Sequence, residues 1–241
     1  MDISNSNAFT LTGQHILIVD DDAAILNLVK QKLEMAGFAT ITACSGAEAL
    51  DKISRYGVPH LAIVDISMPG MDGFEFCERV QRFSDLPIIL LSAIDEEDII
   101  VQGIERFAED YMTKPFSPRE LLARVQRVLR RMGDFRYALE PIIQVDDYLG
   151  VDFANQRAFI QGKPHALTPT ETKLLYILMR NAGHVVTADF LLHRLWPLEE
   201  VYEEALRVHI HRLRGKIEAD PGKPQYIITQ RGIGYQFSGK K

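Results

Sequence analysis

The sequence predicts an α/β fold, a doubly wound five-stranded parallel sheet, followed by a smaller α+β domain. Two observations carry this reading. From His15 to Arg131, short apolar runs alternate with segments of helical periodicity, the arrangement that builds parallel sheets with crossover helices. After a break at 132–142 the pattern changes to short strand-like pieces, three helices and a closing hairpin. Residues 14–131 are therefore expected to form one domain, 132–142 a linker and 143–241 a second domain.

Each element has its own signature. His15 to Val19 is an apolar strand, and Ile25, Leu26, Val29 and Leu33 recur at helical spacing until Gly37 stops the helix. A second strand spans Phe38 to Ala43. Ser45 and Glu48 form a capping box for the next helix. Leu61-Ala62-Ile63-Val64 is apolar on both faces, as a central strand must be, and Pro69, Gly70 and Gly73 turn the chain behind it. A helix over 74–82, a strand from Pro87 to Leu91, a helix from Glu96 to Arg106 and a strand from Tyr111 to Thr113 follow. Ser117, Pro118 and Glu120 open the last helix of this half, with Leu121, Leu122, Val125, Val128 and Leu129 facing the core.

In the second half, Ile142 to Val145, Leu149 to Phe153, Arg157 to Ile160 and Lys163 to Ala166 read as a small antiparallel sheet. Thr168, Pro169 and Glu171 start a core helix, and Thr187 starts another that runs to Trp196. The helix beginning near Glu203 buries Leu206, Ile210, Leu213 and Ile217. Its opposite face presents Glu204, Val208, His211 and Gly215, flanked by Arg207, Arg212 and Arg214. Strands at Tyr226 to Thr229 and Gly234 to Phe237 then form a hairpin with Arg231 at its tip.

Composition bounds the function. With 241 residues, 46% of them apolar, the chain can bury two cores, and no apolar run is long enough to cross a bilayer. Met1 to Gln14 lacks the basic and apolar regions of a secretory signal. Cys44 and Cys77 lack metal-like spacing, which suits reduced thiols in a cytoplasmic protein. Residues 1–143 hold 14 Lys and Arg against 22 Asp and Glu, a net −8, whereas 144–241 hold 13 against 11, a net +2. An acidic half suits a cation pocket, and a mildly basic half permits nucleic-acid contact.

In doubly wound sheets ligands gather outside the carboxyl ends of the strands, and the polar residues fall there: Asp20 and Asp21 after the first strand, Asp65 after the third, Ser92 after the fourth and Lys114 after the fifth. Acids placed together repel unless a hard cation neutralises them, and oxygen ligands favour Mg²⁺. Asp65 can then accept a phosphoryl group, with Lys114 and Ser92 contacting phosphoryl oxygens.

The words Ile18-Val19-Asp20-Asp21-Asp22, Val64-Asp65-Ile66-Ser67-Met68-Pro69-Gly70-Met71-Asp72-Gly73, Leu91-Ser92-Ala93 and Thr113-Lys114-Pro115-Phe116 make this half resemble a response-regulator receiver domain of flavodoxin-like fold. The resemblance implies that Asp65 is the phosphoacceptor. It also implies that Asp20, Asp21, Asp65 and the Ser67 carbonyl hold Mg²⁺, that Ser92 and Tyr111 are a switch pair, and that the Lys114–Pro115 bond is cis. Haloacid-dehalogenase-like phosphatases also phosphorylate an Asp, but they need a second Asp two residues on, where this chain has Ser67. No turnover of external substrates is therefore expected.

The second half is similar to the winged helix-turn-helix effector of OmpR/PhoB-type regulators through Leu167-Thr168-Pro169-Thr170-Glu171, Val208-His209-Ile210-His211-Arg212-Leu213-Arg214 and Arg231-Gly232-Ile233-Gly234-Tyr235. By resemblance Val208, His209, His211 and Arg212 lie along promoter DNA, Arg214 meets phosphate and Arg231 is the wing arginine. Glu204 and Arg207 depart from the family's usual arginine and aspartate, and Glu204 either reads a cytosine amino group or weakens binding. The acidic loop with Glu199, Glu200 and Glu203 corresponds to one that touches RNA polymerase. The resemblance further implies a sensor histidine kinase as phosphodonor and a homodimer formed on activation. Its face would use Asp110, Glu120 and Arg124, with Ile100 standing where the family carries a basic partner and so making a more apolar contact.

Overall fold

The computed structural model describes residues 13–93, 108–132, 140–197, 199 and 201–239. The expected helix at 96–106, with Ile100, lies outside them.

The first half is a parallel sheet of β1 (His15–Val19), β2 (Ala39–Ala43), β3 (Leu61–Asp65), β4 (Ile88–Ala93) and β5 (Asp110–Lys114) in the order β2-β1-β3-β4-β5. The reversal between β1 and β3 makes a switch point at the carboxyl edge. Helices α1 (Ala23–Met35), α2 (Gly46–Tyr56), α3 (Gly73–Gln81) and α4 (Pro118–Met132) cover it. Every residue of β3 is buried, which explains its unbroken apolar run. Asp22 caps α1 by accepting from the Ala24 and Ile25 amides, and Asp72 caps α3 by accepting from Glu75 N at 2.8 Å. Ser45 caps α2 as predicted, but Glu48 reaches one residue further back, accepting from the Cys44 amide at 2.7 Å, so the reciprocal half of the capping box is displaced.

The second half begins with a four-stranded antiparallel sheet of β6 (Ile143–Gln144), β7 (Leu149–Asp152), β8 (Arg157–Ile160) and β9 (Lys163–Ala166). Helices α5 (Pro169–Arg180), α6 (Ala188–Leu195) and α7 (Glu203–Ile217) follow, and the Thr168/Glu171 capping box of α5 is complete. The hairpin β11 (Ile227–Gln230) and β12 (Gly234–Phe237) gains a third strand, β10 (Val185–Thr187), where the sequence signalled only the start of a helix. That pairing requires glycine: a Cβ on Gly234 would lie 2.0 Å from the Val186 carbonyl oxygen. The result is a doubly wound domain followed by a winged-helix domain.

Candidate phosphorylation pocket and nucleic-acid face

The carboxyl edge of the parallel sheet gathers the predicted acids. Carboxylate oxygens of Asp20, Asp21 and Asp65 lie within 4.8 Å of one another, with Asp20 and Asp65 buried and Asp21 exposed. β1 and β3 are adjacent strands with Val19 opposite Val64, so the residues that follow them must meet. β5 closes the other side. Its last residue, Lys114, places Nζ 2.8 Å from Asp20 Oδ2 and 2.9 Å from Asp65 Oδ1, and the Lys114–Pro115 bond is cis as expected. The start of α3 packs so closely behind Asp65 that a Cβ on Gly73 would be 2.3 Å from the Asp65 carbonyl oxygen.

Burial raises the Asp65 pKa above the ordinary carboxylate value, and the charges of Asp20 and Asp21 push the same way against the opposing ammonium of Lys114. Burial disfavours the Lys114 charge, but its bonds to Asp20 and Asp65 outweigh that and its pKa rises. Ser92 is fully buried, and its Oγ has no hydrogen-bond partner among the described residues. All-oxygen donors with one solvent-facing acid suit a small, hard divalent cation such as Mg²⁺. Ser67 is exposed at the same mouth, two residues beyond Asp65, and Tyr111 is 43% exposed on β5.

On the face formed by β5 and α4, the candidate dimer residues engage one another within this chain. Arg124 donates to Asp110 at 2.9 and 3.1 Å and to Glu120 at 2.7 and 3.0 Å. Arg127, which the sequence reading passed over, joins Asp110 at 2.6 Å. Positions 120, 124 and 127 share one helical face, and that spacing could have revealed it.

In the second half, α7 buries Leu206, Ile210, Leu213 and Ile217 as predicted. Glu204, Arg207, Val208, His211 and Arg212 are exposed along it, and Arg231 is exposed at the turn between β11 and β12. Between helix and hairpin runs a groove of about 390 Å³, lined among others by Arg207, His211, Arg214, Gln230 and Arg231. Arg207 pairs with Glu203 at 2.9 Å across one helical turn.

Two expected contact residues have other occupations. The half-buried His209 ring packs on Trp196 with centroids 5.4 Å apart, so it faces the α6–α7 contact and not the open side of the helix. Arg214 donates through Nε and Nη2 to the Ile227 carbonyl at 3.0 and 2.6 Å, and through Nη2 to Thr229 Oγ1 at 2.8 Å. It ties α7 to β11, and only Nη1 stays out of these bonds. Sequence reasoning also missed Glu218. Buried at the end of α7, it accepts from the amides of Gln225, Tyr226 and Ile227 and so fixes where the hairpin starts.

Comparison with known proteins agrees with both halves. Residues 16–126 match the family described as response regulator receiver domain, and residues 162–237 match transcriptional regulatory protein, C terminal. A probable transcriptional regulator ycf27 of Porphyra purpurea is 38% identical over 231 residues, covering 93% of this chain and 94% of that protein. The sensory transduction protein RegX3 of Mycobacterium tuberculosis is 36% identical over 225 residues, covering 93% and 99%. Among solved structures, the response regulator DrrB of Thermotoga maritima, an OmpR/PhoB homolog, is 34% identical over 94% of this chain and 99% of its own, with a TM-score of 0.44. With both domain families matched in order and relatives above one-third identity along nearly its whole length, the chain belongs to the OmpR/PhoB-type response regulators.

Proposed function

We propose that a sensor histidine kinase phosphorylates this regulator on Asp65 and that the phosphorylated chain dimerises and binds promoter DNA in the cytoplasm. The observation that carries the reading is the convergence of three carboxylates, Lys114 and the Ser92 hydroxyl, which has no hydrogen-bond partner among the described residues, at one sheet edge. Asp65 Oδ attacks the phosphorus of the kinase's phosphohistidine, forming a P–O bond as the P–N bond breaks and the imidazole departs. Lys114 then exchanges its contact with the Asp65 carboxylate for one with a phosphoryl oxygen, and Ser92 Oγ donates a hydrogen bond to another. Asp20, Asp21, Asp65 and the Ser67 carbonyl would hold Mg²⁺, which supplies the positive charge that offsets the negative charge of the transferred group. Tyr111, exposed on the strand that ends in Lys114, is the second member of the switch pair. Ser67 cannot act as an acid–base group as an aspartate would, so the pocket serves a persistent signal and not turnover of external substrates.

For DNA, α7 enters the major groove with Glu204, Arg207, Val208, His211 and Arg212, and Arg231 reaches the adjacent minor groove or phosphate. His209 and Arg214 hold that helix in place, with Nη1 of Arg214 available to a phosphate oxygen. The acidic segment before α7 is the surface for RNA polymerase. Dimer formation uses the β5–α4 face, where Asp110, Glu120 and Arg124 exchange part of their present pairing for partners across a two-fold axis.

Incubation with acetyl phosphate and Mg²⁺, followed by intact-mass measurement, tests the phosphorylation step. A phosphoryl adduct is expected on the wild type and absent from Asp65→Asn. An adduct that persists in the variant, or none in either protein, overturns the assignment. Sedimentation of the phosphorylated protein then reads the dimer, and a monomer in both states rejects it.

A further inference from the structure

The two domains meet at the edge of the parallel sheet opposite the acid pocket, and charge is sorted across that seam. From the receiver come Asp85, just before β4, and Glu109, just before β5; from the effector come Lys173 and Arg180 on α5 and Arg194 on α6. Arg194 donates through Nε to Asp85 Oδ2 at 2.9 Å and through Nη2 to Glu109 Oε1 at 2.8 Å. Arg180 Nη1 donates to the Asp85 carbonyl at 2.8 Å. Lys173 faces the same acid, which partly offsets the burial that pulls its ammonium pKa down. Beside the charges, Phe83 and Leu86 of the receiver belong to one apolar cluster with Tyr176 and its neighbours on α5.

The carboxylates are the covered side of this contact: Asp85 and Glu109 side chains are 12% and 11% exposed, against 29% for Arg194. Removing the arginine takes the only charged side chain, among the described residues, that bridges the two acids, leaving Asp85 with the nearby Lys173 and Arg180 and Glu109 with Arg131. Because both carboxylates are largely shielded from water, this costs more than losing an exposed pair. The short linker matters too. Tethered domains meet at high effective concentration, so a contact too weak to hold separate proteins together keeps them closed.

Glu109 also joins the seam to the signalling pocket. It is held by Arg131 in the last turn of α4, and its amide donates to the Ile88 carbonyl at 2.9 Å. Five residues on, the same strand ends in Lys114, bound to Asp20 and Asp65. β5 thus carries a pocket contact at its carboxyl end, and the residue immediately before its amino end carries a seam contact.

We propose that Arg194, clamped on Asp85 and Glu109, is an interdomain latch that keeps the effector docked while Asp65 is unmodified and is weakened through β5 when Asp65 is phosphorylated. The second clause rests on the reading of Asp65 as phosphoacceptor; the first does not. α7 stays exposed with the latch closed, so the latch works by fixing the effector's orientation, not by covering its DNA face. Two effectors reading paired half-sites need an orientation set by the DNA, which a fixed seam opposes.

Small-angle X-ray scattering of the full-length protein, without Mg²⁺ or DNA, tests the latch for wild type, Arg194→Met and Glu109→Gln. Methionine keeps an unbranched apolar stem while removing the guanidinium, whose Cζ also lies 5.9 Å over the Phe190 ring. Both variants are expected to show a larger radius of gyration with unchanged melting of each domain, reflecting a shift toward the open form of about a hundredfold for Arg194→Met. Scattering identical to wild type in both variants overturns the latch. A lost melting transition in one variant leaves the decision to the other, and added salt on wild type gives a mutation-free check, since partly exposed pairs weaken on screening. In a second arm, acetyl phosphate and Mg²⁺ should expand the wild type in proportion to the adduct seen by mass. An adduct without expansion overturns the coupling. If no adduct forms, the Asp65 reading fails while the first arm still judges the latch.

Discussion

Replacing Arg214 by Met separates a brace from a phosphate contact. The guanidinium spans from α7 to β11 through bonds of 3.0, 2.6 and 2.8 Å to the Ile227 carbonyl and Thr229 Oγ1. A hydrogen bond from a charged donor contributes about 1.5–3 kcal/mol net. Bonds from one guanidinium are not additive, and this group is half-buried, so the whole brace is taken as ~2 kcal/mol. For a domain of roughly 100 residues, 1 kcal/mol moves the melting midpoint about 4–8 °C, so the effector transition should fall by ~8–16 °C. Calorimetry of the full-length protein reads this, with the receiver transition as the internal standard. DNA affinity measured against salt supplies the second half. Each phosphate contact removed makes the slope of log K against log salt shallower by about 0.9, whereas loss of a brace lowers affinity with the slope unchanged. An unmoved midpoint together with a slope shallower by about one would refute the brace.

Other perturbations follow from the same geometry. Asp65 has a raised pKa because burial, then its acidic neighbours, disfavour the charge; the fold is therefore least taxed at acid pH and loses stability as pH rises above the ordinary carboxylate range. Asp65→Asn should melt higher than wild type at pH 7, with the gap closing near pH 4, and a lower midpoint at pH 7 would contradict the burial argument. His60 is held neutral at a pKa of about 4 by burial, by His15 stacked on it at 5.9 Å and by Arg180. The unfolded chain takes up that proton near pH 6.5, so stability drains away as pH falls from there toward 4, by roughly 3 kcal/mol at most. His60→Asn should flatten that part of the stability–pH profile measured by urea unfolding, and an unchanged slope counts against it. Gly73→Ala forces a methyl to 2.3 Å from the Asp65 carbonyl oxygen. It should destabilise the receiver by about 1–3 kcal/mol in the same unfolding assay and slow phosphorylation by acetyl phosphate; a wild-type rate and midpoint would show that α3 shifts freely.

What could be read from the sequence and what could not divides along the range of the interactions. The strands His15–Val19 and Leu61–Asp65 announce themselves because a strand covered on both faces has to be apolar throughout, and the first charge after it marks the sheet edge. That local rule puts Asp20 and Asp65 at the same end, and parallel pairing of β1 with β3 then brings them together. The α7 stripe is legible for a similar reason, since one buried face needs one spacing. Partners chosen by tertiary packing leave no such mark. β10 has three residues and exists because Gly234 lets β12 approach; nothing in Val185-Val186-Thr187 distinguishes a strand from a helix lead-in. His209 sits at a position that a helical wheel places beside the exposed face, and only Trp196 at the end of α6 claims its ring. Arg194 and Asp85 are 109 positions apart, and in sequence each is one charge among many. The same asymmetry holds across the molecule: the acids at the sheet edge follow from strand periodicity, whereas the contacts of Arg194 with Glu109 and of Arg214 with Ile227 join elements that only the folded chain brings into reach.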